Sequence, residues 1–381
     1  MKVSRLSLAV ASIVTLVLSA CTPAQDGADA TDGGDGDLES VRLQLQWVPQ
    51  AQFGGYFAAR ELGYYEEEGL EVELVDGGPD VIPQQVGSAP DGPEFTISWV
   101  PKVLQARQEE SDLVNIAQVF QRSGTLSVAW ADSGIASPED FAGRKVGVWD
   151  FGNELEVVAS ARFAGLEPNE DFEVVIQPFD MTLLLNAADG CAETDTDCVD
   201  VAEAMIYNEY AQVLETENPD TGDLYQPEDL SVIDYNEVGT AMLQDALFAR
   251  ADWLAQEGNE DVAVRFLRAS FRGWVHCRDN PDDCVQFVTD AGSTLGAGHQ
   301  AWMMNEINAL IWPSPSGIGV MDPALWDQTV ETAIEAEIIA EEPPEDAYRT
   351  DLAEAALEGI EDDTTGEGFT KGTVEVTPGG E

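Results

Sequence analysis

The chain has 381 residues and carries 73 acidic against 17 basic side chains, a formal charge of −56, with hydrophobic residues at 44%. That charge makes nucleic acid and anionic lipid poor partners, and the apolar share with its helix and strand periodicities excludes a disordered acidic polymer. Self-repulsion of this size is read as an adaptation to high salt, since the Debye length falls from about 10 Å at 0.1 M to about 3 Å at 1 M; the alternative is an acidic secreted protein.

Lys2 and Arg5 precede an apolar run from Leu6 to Val17, followed by Leu18-Ser19-Ala20-Cys21. A charged start, a short apolar core and small residues before a cleavage point predict a secretory signal over 1–20, too short for a spanning helix. Leu-Ser-Ala-Cys resembles a bacterial lipobox, which would make Cys21 the lipidated first residue; the alternative is an ordinary signal cut near Ala20. Residues 21–40 are rich in Gly, Ala and Asp without apolar periodicity, which predicts a disordered acidic tether.

Leu43, Leu45 and Trp47 alternate with Gln44, Gln46 and Val48, a half-buried strand stopped by Pro49. Phe53, Tyr56, Phe57 and Leu62 recur near helical spacing between Gly54-Gly55 and Gly63, and Gly69 releases the chain into a second strand with Leu70, Val72 and Leu74 on one face. The turn between strand and helix gathers Trp47, Gln50, Gln52 and Tyr56, and ligands of open α/β sheets sit outside the carboxyl ends of the strands. Aromatic faces and amides there suit a small, planar, polar ligand; the alternative is that the rings are core.

Further strand ends add candidates. Trp99 closes FTISW, and Gln121-Arg122 stand at a first candidate crossover. Lys145 to Trp149 reads as a buried strand, Asp150 to Asn153 as a turn, and a helix follows. Trp149, Gly152, Asn153 and Glu154 are candidates there, because glycine lets backbone approach a ligand and a carboxylate at a helix start favours an amine or ring N–H over an anion. The alternative is that Glu154 only complements the helix dipole. Val201 to Ile206 forms another strand, crowned by Tyr207, Asn208 and Glu209, with Tyr210 packed in the next helix as the plain alternative. A second crossover is expected over 234–240.

Besides Cys21 there are four cysteines, in DGCAETDTDC and HCRDNPDDC. Both segments are polar and turn-rich, so Cys191 with Cys198 and Cys277 with Cys284 are the expected disulfides of an exported chain. A zinc site of the four cysteines and His276 is the alternative. The acidic loop around 189–200 lacks the spacing of a calcium loop, and no metal or cofactor is expected.

The opening segment, with Trp47, Pro49, Gly54, Tyr56, Ala58, Gly63-Tyr64-Tyr65, Glu68-Gly69-Leu70 and Val72, resembles the solute-binding proteins of thiamine-pyrimidine, riboflavin, taurine, alkanesulfonate and nitrate uptake. The resemblance continues through FTISWVPKVL, KVGVWDFGNELE and AMIYNEYAQVLE and covers about 41–350. It implies an α/β, two-lobed type II periplasmic binding protein, each lobe a mostly parallel sheet flanked by helices, with two hinge crossovers. Lobe one then spans 41–120 and 239–358, lobe two 121–238, and 359–381 is an acidic Gly-rich tail. It further implies a monomeric, lipid-anchored binding subunit at the outer face of the cell membrane, which closes on one small ligand and presents it to an ABC permease and its ATPase. The aromatics, amides and Glu154 favour an aminopyrimidine precursor of thiamine, with riboflavin next; taurine, alkanesulfonates and nitrate are the alternative. An enzyme of the pyrimidine-synthase kind is an alternative of another class. It would need a Schiff-base lysine, and Lys102 and Lys145 both stand outside the opening motif; a surface or adhesion role leaves the strand-end clusters unexplained.

Overall fold

The computed structural model describes residues 38–381. The signal, Cys21 and nearly all of the tether lie outside the described residues. Among the described residues no helix is long and apolar enough to cross a membrane.

Among the described residues ten strands form two five-stranded sheets. The first contains β1 (Glu39–Gln44), β2 (Leu70–Val75), β3 (Phe95–Ser98), β4 (Leu113–Gln118) and, from much later in the chain, β10 (Ala246–Arg250), in the order β2-β1-β3-β10-β4. The second contains β5 (Thr125–Trp130), β6 (Lys145–Val148), β7 (Glu173–Ile176), β8 (Val201–Met205) and β9 (Leu230–Asp234), in the order β7-β6-β8-β5-β9. Register follows the apolar pattern: Val41 faces Val72 and Leu43 faces Leu74 in the parallel β1–β2 pair. Each sheet is mixed. The strand on which the chain enters from the other lobe, β5 or β10, runs against both of its neighbours. A strand fed from the opposite lobe has no crossover helix of its own to return it to the parallel direction.

The chain passes between the sheets over 119–124 and 235–245. Glu156, in helix Leu155–Phe163, fastens both passages. Its carboxylate accepts from Ser123 Oγ at 2.7 Å on the first, and from the Met242 N–H at 2.5 Å and Gln244 Nε2 at 3.0 Å on the second.

The strand expected from Leu43 to Val48 is displaced. Pairing begins at Glu39 and ends at Gln44, so Leu45 to Gln50 leave the ladder as an irregular segment. Helix Gly54–Glu61 follows and packs on the long helix Asn259–Asp279 at very close range. A Cβ at Gly273 would lie within bonding distance of the Gly55 carbonyl oxygen, so only glycine permits this approach.

Cys191 is bonded to Cys198, and Cys277 to Cys284. The second pair does not staple a polar loop. Cys277 lies in helix Asn259–Asp279 and Cys284 in helix Pro281–Asp290, with a break at Asn280, and both are fully buried in the lobe-one core beside Gly54. Polar residues there belong to the outer helix faces, a pattern easily read as a loop. Among the described residues no cluster of His, Cys, Asp or Glu is arranged to hold a metal ion. The last residues pack on the body although they form almost no regular structure. The Ile318 N–H donates to the Thr364 carbonyl at 2.8 Å and the Gly379 N–H to the Glu215 carbonyl at 2.9 Å.

Candidate ligand-binding site

The carboxyl ends of β1 and β3 in one sheet face those of β6, β7 and β8 in the other across a cleft with about 640 Å³ of empty space. Rings come from both lobes. Trp47 meets Phe179 with centroids 4.4 Å apart, and Phe179 stacks on Trp149 at 5.7 Å and 18°.

The lobe-one wall is built on a relay. Gln50 Nε2 donates to Gln52 Oε1 at 2.7 Å, Gln52 Nε2 donates to Asp245 Oδ1 at 2.8 Å, and Trp99 Nε1 donates to Asp245 Oδ2 at 2.9 Å. The buried Asp245 thereby fixes two amides and an indole from two segments. Burial pushes its carboxyl up to about 6, against the pull of the bonds from Gln52 and Trp99. Lys102 reaches across the cleft floor. Its Nζ donates to Asn153 Oδ1 of the other lobe at 2.6 Å and lies 4.3 Å from the Trp99 ring centroid. Burial pushes this amine down to about 8, opposed by Asp245, Glu154 and Glu203.

On lobe two, Glu209 opens helix Glu209–Leu214. It accepts from the Met205 N–H at 3.0 Å and from Asn208 Nδ2 at 2.8 Å, and burial pushes it up to about 7. Behind Asn208 stands His299 of lobe one, whose Nε2 is 3.0 Å from Asn208 Oδ1 and whose Nδ1 is 2.9 Å from Glu215 Oε1. The cleft thus offers flat apolar faces with amides at their edges, and its wall carries one carboxyl, Glu209, and one amine, Lys102, with Asp245 buried behind it.

Of the residues singled out from sequence, Trp47, Gln50, Gln52, Trp99, Trp149, Asn153, Tyr207, Asn208 and Glu209 line this cleft. Three others do not. Tyr56 is in the core, edge-on to Trp274 at 5.6 Å, because its helix turns that face to Asn259–Asp279. Glu154 folds back to accept from the Gly152 N–H at 2.9 Å and closes the turn before its helix, so the expected amine acceptor is not on the wall. Gly152, at φ +85°, lies against Lys102 and borders a neighbouring groove instead. Gln121 and Arg122 also serve the backbone: Gln121 Nε2 donates to the Gln118 carbonyl at 2.7 Å, and Arg122 reaches the Leu310 and Trp312 carbonyls at 3.4 Å. Sequence reasoning missed Lys102, Phe179, Gln46 and Gln84 on the wall and Asp245 behind it. An aromatic following a strand end could have flagged Phe179; nothing local marked Asp245.

Comparison with known proteins fits this geometry. The chain is 26% identical over 351 residues to the riboflavin-binding protein RibY of Chloroflexus aurantiacus, covering 87% of this chain and 92% of that protein. It is 28% identical over 259 residues to the formylaminopyrimidine-binding protein of Halalkalibacterium halodurans, covering 68% and 72%. Its fold matches that of the periplasmic aliphatic sulphonate binding protein SsuA from Escherichia coli, with a TM-score of 0.55 at 14% identity over 80% of this chain and 89% of that one. A family model described as NMT1/THI5 like matches residues 50–284, the stretch that carries most of the cleft, and the chain belongs to that family.

Proposed function

We propose that this protein is the solute-binding component of an ABC-type importer and that its ligand is a small planar nitrogen heterocycle, an aminopyrimidine precursor of thiamine first and riboflavin next. The observation that carries the reading is the interlobe cleft itself, with Trp47 on one side and Phe179 and Trp149 on the other. A ligand ring that stacks on an open face of this aromatic cluster gains about 0.5–1.5 kcal/mol per stacked pair beyond its burial. The two relatives named for a flavin and a pyrimidine support the same class. With Glu154 folded away from the wall, the edge-reading role falls to Glu209, Asn208 and Gln50, which line it. The amine of Lys102 is engaged with Asn153 and Trp99, which supports holding a ligand rather than reacting with it.

Calorimetry and tryptophan fluorescence with an aminopyrimidine, riboflavin, taurine and nitrate test the assignment. Saturable binding with a fluorescence change is expected for at least one heterocycle and none for taurine or nitrate. Saturable taurine or nitrate binding with silence toward both heterocycles overturns it.

The same reading includes a lipid anchor at Cys21 and a place at the outer face of the membrane, where a permease collects the ligand. Its support is the Leu18-Ser19-Ala20-Cys21 sequence. Cys21→Ser is expected to move the protein from the membrane to the soluble fraction. A variant that still needs detergent for release, as the wild type does, refutes the anchor.

A further inference from the structure

We propose that His299, which does not itself line the cleft, is a positioning residue for the ligand: from lobe one it sets the Asn208 and Glu209 edge of lobe two. The proposal rests on the cleft being a heterocycle site. His299 lies in the first turn of helix Ala297–Ile311 and is 1% exposed. Its imidazole holds both ends of helix Glu209–Leu214 at once. Nε2 is 3.0 Å from Oδ1 of Asn208, the residue before that helix. Nδ1 is 2.9 and 3.0 Å from the two carboxylate oxygens of Glu215, the residue after it.

The Asn208 amide decides which way the bond runs. Its Nδ2 donates to Glu209 Oε1 at 2.8 Å, and its Oδ1 accepts from Gln212 Nε2 at 3.2 Å, so the imidazole donates from Nε2 to that same oxygen. Glu209 also accepts from the Met205 N–H at 3.0 Å. A chain of bonds therefore runs from Glu215 through His299 and Asn208 to Glu209, and its last two members line the cleft. The partner on one imidazole nitrogen orients the ring and so aims the other nitrogen.

The same helix turn is tied to the opposite wall. The next residue, Gln300, is fully buried, and its Oε1 accepts from the Ala51 N–H at 2.7 Å, between the cleft residues Gln50 and Gln52. Further along, Trp302 Nε1 donates to the Ile206 carbonyl of lobe two at 3.0 Å. The end of the chain closes over the imidazole. The Gly379 N–H donates to the Glu215 carbonyl at 2.9 Å, and Gly380 sits so close that a Cβ there would lie 2.8 Å from His299 Cβ. Consecutive side chains of one helix thus hold the glutamine wall of lobe one and the Asn208–Glu209 wall of lobe two. A ring read from both walls loses affinity when one of them shifts, because hydrogen bonds weaken with distance and angle.

The test uses the full chain with His299→Gln and His299→Asn. A glutamine amide nitrogen reaches the place of Nε2, and an asparagine amide nitrogen the place of Nδ1. The first variant keeps the donor to Asn208 and gives up Glu215; the second does the reverse. Calorimetry with a hydroxymethyl-aminopyrimidine and with riboflavin reads affinity for whichever the wild type binds. His299→Asn is expected to weaken binding about tenfold, and His299→Gln to recover most of that loss, to within about threefold of wild type. Each gives up one buried hydrogen bond, so their ligand-free Tm values should fall alike. In an Asn208→Ala background the two should bind alike, since the bond that tells them apart is gone. Wild-type affinity in His299→Asn overturns the proposal. So does an equal loss of affinity, or failure to fold, in both variants, the mark of a purely structural role. Silence of the wild type toward both heterocycles overturns the proposal together with the reading beneath it.

Discussion

Asp245→Ala is expected to abolish measurable ligand binding and to destabilise the protein by about 2–5 kcal/mol. Asp245 is 3% exposed and accepts from Gln52 Nε2 at 2.8 Å and Trp99 Nε1 at 2.9 Å. Truncation leaves two buried donors unpaired, each costing about 1–3 kcal/mol. It also releases Gln50, which is held only through Gln52 on this wall, so the loss in affinity should reach at least about a hundredfold as three cleft side chains lose their fixed positions. Asp245→Asn keeps the volume but turns an amide N–H₂ toward one of the two donors, so it should fall between wild type and alanine. Denaturant midpoints and calorimetry measure both effects. Wild-type binding and stability in Asp245→Ala would show that the relay does not hold the wall.

Stability should fall as pH rises from 5 to 8. Burial pushes Glu156 and Glu209 up to about 7 and Asp245 up to about 6, and Glu203 well above its ordinary value. A carboxyl whose folded pKa lies above its unfolded one keeps a proton that the unfolded chain releases. The stability it contributes is present below the unfolded pKa near 4 and is lost as pH rises through 6 and 7. In the opposite direction, the ion pairs of Arg42 with Glu94 and of Arg349 with Asp351 hold their carboxylates low, and that contribution is lost as pH falls below about 4. The Tm should therefore peak near pH 5. Melting curves at low and at molar salt separate the causes. Salt should raise Tm at every pH by screening the acidic surface, while the drop from pH 5 to 8 persists because buried groups are screened far less. Glu156→Gln should flatten that drop. A Tm that climbs from pH 5 to 8 in molar salt, or a Glu156→Gln variant with the wild-type profile, contradicts the account.

The position of Glu156 gives that titration a structural address. It ties Ser123 on one passage to Met242 and Gln244 on the other, so the most strongly buried charge of its helix sits where the lobes are joined. Nothing in the local sequence around it suggests this, because its partners lie far away in the chain.

Local pattern carried the α/β class, the strand-to-helix turns and nine of the residues that line the cleft. Trp47, Trp99, Trp149 and Tyr207 follow strand ends, and in open α/β sheets those ends converge on the ligand whatever the rest of the chain does. Neighbours in the same turns were decided otherwise. Gln52 and Tyr56 are four residues apart, yet Gln52 faces Asp245 while Tyr56 faces Trp274, since the contact between Gly55 and Gly273 fixes how the helix is rolled. Glu154 had the chemistry for the site but closes its own turn instead. Asp245 came behind the wall through the pairing of β10 with β3, and Phe179 met Trp47 only where the two sheets face each other. Periodicity and turn residues report how a segment folds on itself. Which side chains share a pocket depends on packing between segments far apart in sequence, and that information exists only once the core is assembled.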